Sequence, residues 1–328
     1  MREKWGREQP ELGLDRDGVE RLLTAAFPSS RVVYHKRARG GLTNTNIEVG
    51  LAAAPWRVCL RLYQGNPKEA GKEAALNALL VPRGVPTARF LHFSPSNPMN
   101  GAPYAILEWV EGARLASAAR GLDEKSQVAL GLRLGATLAA IHAIRFDLAG
   151  RLDAELRICA PLDFGGEAVR AFARACFDSG ILSARLGPED ACALVAFLER
   201  EADRLGGWLA EPRLIHGDFN ASNILVRRDA GVGWTVAAAL DWEFAFAGTP
   251  AFDFGNLLRP PLGDKPLLID AAARGYVAEG GVLPKDWRMA AGIADLVAWV
   301  DVLRRDHATP GLIADAALAI QRIVTASL

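Results

Sequence analysis

The hydrophobic residues of this chain change period along its length, and that change limits what it can fold into. From Arg31 to Tyr63, RVVYHKRARGGLTNTNIEVGLAAAPWRVCLRLY reads as strand, Gly-containing polar turn, strand, turn and strand, the mark of a small antiparallel sheet. VERLLTAAF, Val19 to Phe27, precedes it with apolar residues at helical spacing. KEAGKEAALNALL, Lys68 to Leu80, follows it as a run of strong helix formers, closed by the Pro and Gly of VPRGVPTARFL. YAILEWVEG, Tyr104 to Gly112, is then an apolar strand running into Glu and Gly. Beyond it Ala- and Leu-rich helical patterns take over at 123–144, 166–179, 188–209 and 287–305. In the first of these Val128, Leu132, Leu134, Leu138 and Ile141 are spaced to form one buried stripe. Between the helical blocks, ILVRRDAGVGWTVAAALDWE reads as two short strands joined by Asp-Ala-Gly-Val-Gly. The expected fold class is α+β: a β-rich lobe over residues 1–110, then a mainly helical lobe over 111–328 that carries an inserted hairpin.

Length supports two lobes with cores of their own, since 328 residues exceed the usual compact domain. Half of the residues are hydrophobic and 23% are charged, as in a folded globular chain. Lys plus Arg and Asp plus Glu both count 38, so the basic footprint of a nucleic-acid binder is missing and a small-molecule partner is expected. Cys59, Cys159, Cys176 and Cys192 are scattered without a C-x-x-C pair, so a disulfide framework or zinc site is not expected and most of them are expected in the core. The charged start MREKWGREQPELGLDRDG and the lack of a long apolar run lead to the expectation of a cytoplasmic protein without membrane contact.

HGDFNASNIL, His216 to Leu225, places the carboxylate of Asp218 five positions ahead of the carboxamide of Asn223. Phosphoryl transfer from a nucleotide needs such groups: a carboxylate to orient an acceptor hydroxyl and accept its proton, and oxygen ligands for Mg²⁺. A second metal ligand is expected close by. Asp241 fits, because the hairpin that begins at Ile224 returns its second strand directly into Asp241-Trp242-Glu243.

These segments, with Gly248-Thr249-Pro250-Ala251-Phe252-Asp253, resemble the aminoglycoside phosphotransferase family, relatives of choline kinase and the protein kinases. The Asp-to-Asn interval is that of the protein-kinase catalytic loop and is recognised from it. The resemblance implies a bilobal protein-kinase-like fold, with Asp218 as catalytic base, Asn223 and Asp241 as Mg²⁺ ligands, and Asp253 bracing the catalytic loop through its backbone. It extends into the first lobe. There Gly40 and Gly41, with Thr43 and Asn44, resemble the nucleotide loop, Arg61 occupies the place of the phosphate-binding cation, and Glu73 that of the helix acid paired with it. Glu108 to Val110 would be the hinge whose backbone meets the base of ATP or GTP. Arg61 departs from the lysine of protein kinases: it offers a planar fork of donors, and either touches phosphate or only pairs with Glu73. Trp242-Glu243 replaces the Phe-Gly of the kinase metal motif, so a Phe-dependent switch is not expected.

By this resemblance the chain is an ATP- or GTP-dependent small-molecule kinase acting on a hydroxyl-bearing acceptor, with amino sugars and amino alcohols leading. The alternatives are a choline- or homoserine-type metabolite kinase and a non-catalytic nucleotide-binding protein of the same fold. The intact set of Asp218, Asn223 and Asp241 argues against the second. A protein kinase is disfavoured because only a short segment separates Asp241 from Gly248. His216 reads as a loop-ordering residue rather than a proton carrier. Glu243 reads as a neighbour of the metal site or as a solvated acid. In the tail, Asp295 and Trp299 lie four apart on one helix face, offering a carboxylate and an aromatic ring to a cationic acceptor. The competing reading is a core tryptophan beside a solvated acid.

Overall fold

The computed structural model describes residues 12–38, 43–208, 210–306 and 308–325. In the first lobe, α1 (Arg16–Leu23) is followed by the meander β1 (Val32–Arg37), β2 (Thr45–Leu51) and β3 (Arg57–Leu62), then α2 (Pro67–Leu80), β4 (Phe90–Ser94) and β5 (Tyr104–Glu108). The strands form one sheet in the order β1-β2-β3-β5-β4, with every neighbouring pair antiparallel. Helix α1 starts ahead of its apolar run because the Asp15 carboxylate accepts the Gly18 N–H at 2.8 Å. Its Val19, Leu22 and Leu23 pack with Ile47, Val49, Val58 and Leu60 of the sheet. Helix α2 is started by Asn66, whose side chain accepts from Lys68 N at 3.1 Å, and by Pro67 in its first turn.

The second lobe runs β6 (Ala113–Arg114), α3 (Leu115–Ala118), α4 (Glu124–His142), β7 (Gly150–Leu152), β8 (Ile158–Pro161), α5 (Gly166–Asp178), α6 (Ile181–Leu186) and α7 (Pro188–Glu201). It continues through β9 (Arg213–Ile215), the hairpin β10 (Ile224–Asp229) and β11 (Gly233–Ala239), β12 (Phe246–Gly248), α8 (Ala251–Leu257), α9 (Pro266–Ala278), α10 (Trp287–Leu303) and α11 (Pro310–Thr325). The hairpin pairs with β6 in a three-stranded sheet, and β8-β7-β12-β9 form a second, four-stranded one. Those four strands had no counterpart in the sequence reading, since three or four residues are too few to display a period of two. The helix expected over 188–209 ends as α7 at Glu201 and tightens into a 3₁₀ segment, Ala202–Trp208.

The stripe expected on α4 needs correction. Leu134, Leu138 and Ile141 are fully buried, but Leu132 is 39% exposed and Val128 only half-buried, while Leu130 is buried. Helix α4 meets α9 through glycine: a Cβ on Gly131 would meet the Leu268 carbonyl, on Gly135 the Ala272 carbonyl, and on Gly275 of α9 the Leu132 carbonyl. A contact face centred on glycines brings the two backbones together and leaves Leu132 at its edge. The expectation of separate cores also changes, because Leu76 and Leu80 of α2 and Val85 belong to the core of the helical lobe. The lobes are joined further where Ala239 N donates to the Pro86 carbonyl at 2.8 Å. Among the described residues no helix is long and apolar enough to cross a membrane.

Candidate active site

The loop between β9 and β10 carries Asp218 and Asn223. It is clamped at its start by Asp253 of α8, a fully buried carboxylate that accepts from His216 N at 2.8 Å and Gly217 N at 2.9 Å. His142, at the end of α4, reaches the same carboxylate at 3.1 Å through Nε2 and the Tyr276 hydroxyl at 3.1 Å through Nδ1. Burial pushes the Tyr276 hydroxyl far above its ordinary range, so it stays protonated. Gly217 is at φ 78°, and a Cβ there would run into the Phe244 carbonyl. His216 is fully buried; its Nδ1 accepts from Asp218 N at 3.2 Å, and its ring centroid lies 4.4 Å from that of Trp242. This is the loop-ordering role expected of it.

Asp218 is 7% exposed and its two carboxylate oxygens face carboxamides. Asn223 Nδ2 donates to Oδ2 at 2.7 Å and to the Asp218 carbonyl at 3.0 Å, while Asn220 Nδ2 donates to Oδ1. The five-residue interval therefore closes a loop in which the amide orients the acid. With its nitrogen turned to Asp218, the Asn223 amide puts its oxygen, the hard donor of the group, on the opposite side. Leu240 N donates to the Asn223 carbonyl at 2.8 Å, which brings Asp241 alongside. Asp241 takes a left-handed backbone at φ 61° and ψ 69°, ahead of the 3₁₀ turn Trp242–Phe244. One carboxylate and one carboxamide are too few for an all-protein cage. They fit Mg²⁺, which keeps waters and takes phosphate oxygens beside one or two protein ligands.

Arg61 on β3 lies between two acids: Nη1 is 2.8 Å from Asp241 Oδ1 and Nη2 is 3.2 Å from Glu73 Oε1. Burial opposes its charge, but Glu73 and Asp241 hold the guanidinium well above its ordinary range. Burial pushes the Glu73 carboxyl up, and the Arg61 charge pulls against it. The Tyr63 hydroxyl donates to Glu73 Oε2 at 3.2 Å. Among the described residues the Arg61 Nε donor is buried without a hydrogen-bond partner. The pairing with Glu73 is thus present in the structure, and Asp241 is a second partner that the sequence did not suggest.

Of the expected nucleotide loop, Gly40 and Gly41 lie outside the described residues. Thr43 is half-buried, with its methyl near Gly65. Asn44 is 6% exposed; its oxygen accepts from Gln64 N at 3.2 Å and its nitrogen donates to Glu243 Oε2 at 3.3 Å, so it bridges the lobes. Glu243 is accordingly tied in place rather than merely solvated. In the segment expected as the hinge, Glu108 N donates to the Arg89 carbonyl at 2.9 Å and the Glu108 carboxylate meets Arg89 Nε at 2.7 Å. Val110 packs with Leu107, Cys59 and Leu240 in a small apolar cluster where the lobes meet. Burial pushes the Cys59 thiol up to about 11, keeping it neutral and apolar.

The acceptor reading of Asp295 and Trp299 is overturned. The Asp295 carboxylate is 4% exposed, 2.7 Å from Arg259 Nη2, and accepts the Trp299 indole N–H at 3.0 Å. The Arg259 guanidinium lies 4.2 Å from the Trp299 ring centroid. A carboxylate–aromatic pair does hold a cation there, and the cation is the chain's own. The competing reading was half right: the tryptophan is in the core, but the acid is not solvated. Residues the sequence reading passed over are Asn220, His142 and Lys72, the last a buried lysine that bonds to the backbone after Asp241. Asn220 stands within HGDFNASNIL and Lys72 directly before Glu73, whereas His142 stands in no recognised motif.

The model of the Phosphotransferase enzyme family matches residues 35–292. No curated protein matches. Among solved structures, the GDP complex of wild-type aminoglycoside 2'-phosphotransferase-IIIa superposes with TM-score 0.74 at 16% identity, over 96% of this chain and 100% of the other. Macrolide 2'-phosphotransferase MphH from Brachybacterium faecium gives 0.62 at 18% identity, over 93% and 98%. Spectinomycin phosphotransferase APH(9)-Ia, in complex with ADP and spectinomycin, gives 0.56 at 13%, over 94% and 100%. At these identities the likeness is one of fold, and it is the bilobal fold expected from the sequence.

Proposed function

Since the chain belongs to the phosphotransferase enzyme family, we propose that it transfers the γ-phosphoryl group of ATP or GTP to a hydroxyl of a small molecule, using Asp218 as the base. The observation that carries this reading is the catalytic loop: a carboxylate oriented by Asn223 and Asn220, on a loop whose start is clamped by Asp253. In the step proposed, the acceptor oxygen forms a bond to the γ-phosphorus as the bond from that phosphorus to the β,γ-bridging oxygen breaks. The hydroxyl proton passes to Asp218, and the nucleoside diphosphate leaves with the bridging oxygen.

Asn223 and Asp241 would hold Mg²⁺, which when bound neutralises charge on the β- and γ-phosphates. Arg61 stays cationic between Glu73 and Asp241 and would contribute its positive charge to the phosphates. The backbone of Glu108 to Val110 and the apolar cluster of Val110, Leu107, Cys59 and Leu240 would take the purine base. The loop containing Gly41, Thr43 and Asn44 would cover the phosphates. Residues 1–110 would carry the nucleotide and residues 111–328 the catalytic loop and the acceptor. GDP and ADP in the solved structures support a nucleoside triphosphate as phosphoryl donor, and the spectinomycin bound in one of them supports a hydroxyl-bearing acceptor such as an amino sugar or amino alcohol.

The test is incubation of the purified protein with Mg²⁺, ATP or GTP in turn, and a panel of amino sugars, amino alcohols and macrolides, with products weighed by mass spectrometry. A phosphorylated product is expected with at least one donor. Asp218→Asn should lower turnover by roughly 10²–10⁴-fold while nucleotide affinity changes little, because a base acts in the transition state. Equal loss of both, or unchanged turnover, removes Asp218 from the role. Nucleotide binding without any product across the panel favours the non-catalytic alternative.

A further inference from the structure

The turn that follows Asp241 is gripped from the other lobe by a buried lysine. Lys72 precedes Glu73 on α2, so its side chain leaves the helix about 100° around from the carboxylate that pairs with Arg61. It is 6% exposed. Its ammonium donates to the Glu243 carbonyl at 2.7 Å and the Ala245 carbonyl at 3.2 Å, and lies 2.5 Å from the Glu69 carboxylate one turn earlier. Both carbonyls belong to the end of the 3₁₀ turn Trp242–Phe244 and the residue that closes it, where helix carbonyls lack partners of their own and a cation is favourable.

Burying an ammonium is costly, and even a well-paired buried charge contributes little more stability than an apolar residue of similar shape. Position is what the lysine adds. Asp241 sits at φ 61°, a left-handed backbone uncommon for residues other than Gly, though Asp and Asn adopt it more readily than most. The turn behind it touches three other parts. Glu243 accepts from Asn44, the Phe244 carbonyl lies against Gly217 where a Cβ would not fit, and Lys72 binds the carbonyls on either side of Phe244. A shift of this turn would therefore displace the Asp241 carboxylate and press on the catalytic loop.

We propose that Lys72 is a positioning residue: through the Glu243 and Ala245 carbonyls it holds the turn that keeps the Asp241 carboxylate aimed at Arg61 and the metal–phosphate site, coupling α2 to the metal side of the cleft. The proposal rests on the reading of Asp241 as a metal ligand.

The experiment compares the parent protein with Lys72→Met, which keeps most of the length without the charge, and Lys72→Arg, which keeps donors. Hydrogen exchange is followed across residues 241–248 without nucleotide, and nucleotide affinity is measured with Mg²⁺ and with EDTA. In Lys72→Met, exchange of the Ala245 amide, which closes the turn onto the Trp242 carbonyl, should rise roughly tenfold while α10 is unaffected. Affinity in Mg²⁺ should fall roughly 10–100-fold, the usual effect of losing a residue that orients a metal ligand, and affinity in EDTA should stay within about twofold. Lys72→Arg should recover most of both. Unchanged exchange at 241–248, a uniform rise through both lobes, or equal loss of affinity with and without Mg²⁺ overturns the proposal. A parent protein whose nucleotide affinity ignores Mg²⁺, with the exchange difference still confined to 241–248, overturns the metal reading instead and leaves Lys72 as the holder of the turn.

Discussion

Asp218, Asn223 and Asp241 were legible as residues because their chemistry is carried on short local stretches. Their geometry asks different things of each. Asn223 orients Asp218 through its nitrogen and, in the proposed role, would offer its oxygen to Mg²⁺, whereas Asp241 would bring charge and is shared with Arg61. Asp241→Ala should therefore weaken Mg²⁺-dependent nucleotide binding more than Asn223→Ala, while Asn223→Ala should lower turnover through the misoriented base. Calorimetric titration with and without Mg²⁺, beside turnover, reads both; parent-like binding in the two variants would move the metal elsewhere. Asp295 shows the limit of the same reasoning. Its four-residue spacing from Trp299 was visible, but the cation that completes the pair is Arg259, 36 residues away in sequence. A carboxylate's availability depends on every charge the fold brings to it, and spacing along one helix reports only those on that helix.

At the scale of elements, strands and helices long enough to show a period were readable, and those set by close backbone approach were not. Helix α4 illustrates the difference, since its packing onto α9 is decided by Gly131, Gly135 and Gly275 rather than by its leucines. Helix propensity alone would make Gly135→Ala stabilising by about 1 kcal/mol. The added methyl has to displace the Ala272 carbonyl, an overpacking worth typically ~1–3 kcal/mol in the opposite sense. The expected outcome is a net loss, read as a lower denaturant midpoint at unchanged slope. Leu132→Ala, on the exposed edge, should stay within about 0.5 kcal/mol of the parent. A stabilised Gly135→Ala would show that the helices separate at little cost.

For the whole molecule, α2 is the element on which both lobes depend. It sends Glu73 to Arg61, Lys72 to the turn after Asp241, and Leu76 and Leu80 into the core of the helical lobe. With the lobes sharing a core, thermal unfolding followed by far-ultraviolet dichroism and by tryptophan fluorescence should coincide in one transition. Two separated transitions would mean that the first lobe melts alone. By itself the sequence determined the α+β class, the order of a β-rich and then a helical lobe, the hairpin, and the identity of the acid, the amide and the second acid. Hydrophobic period and motif spacing are properties of neighbours in the chain, and both survive without a fold. Only the tertiary structure decided that Arg61 pairs with Asp241, that His142 backs the Asp253 carboxylate, that Lys72 bonds to the turn after Asp241, and that Arg259 neutralises Asp295. Those pairings join segments from 36 to 180 residues apart, and a charge or a buried donor acquires its partner only when the chain has closed around it.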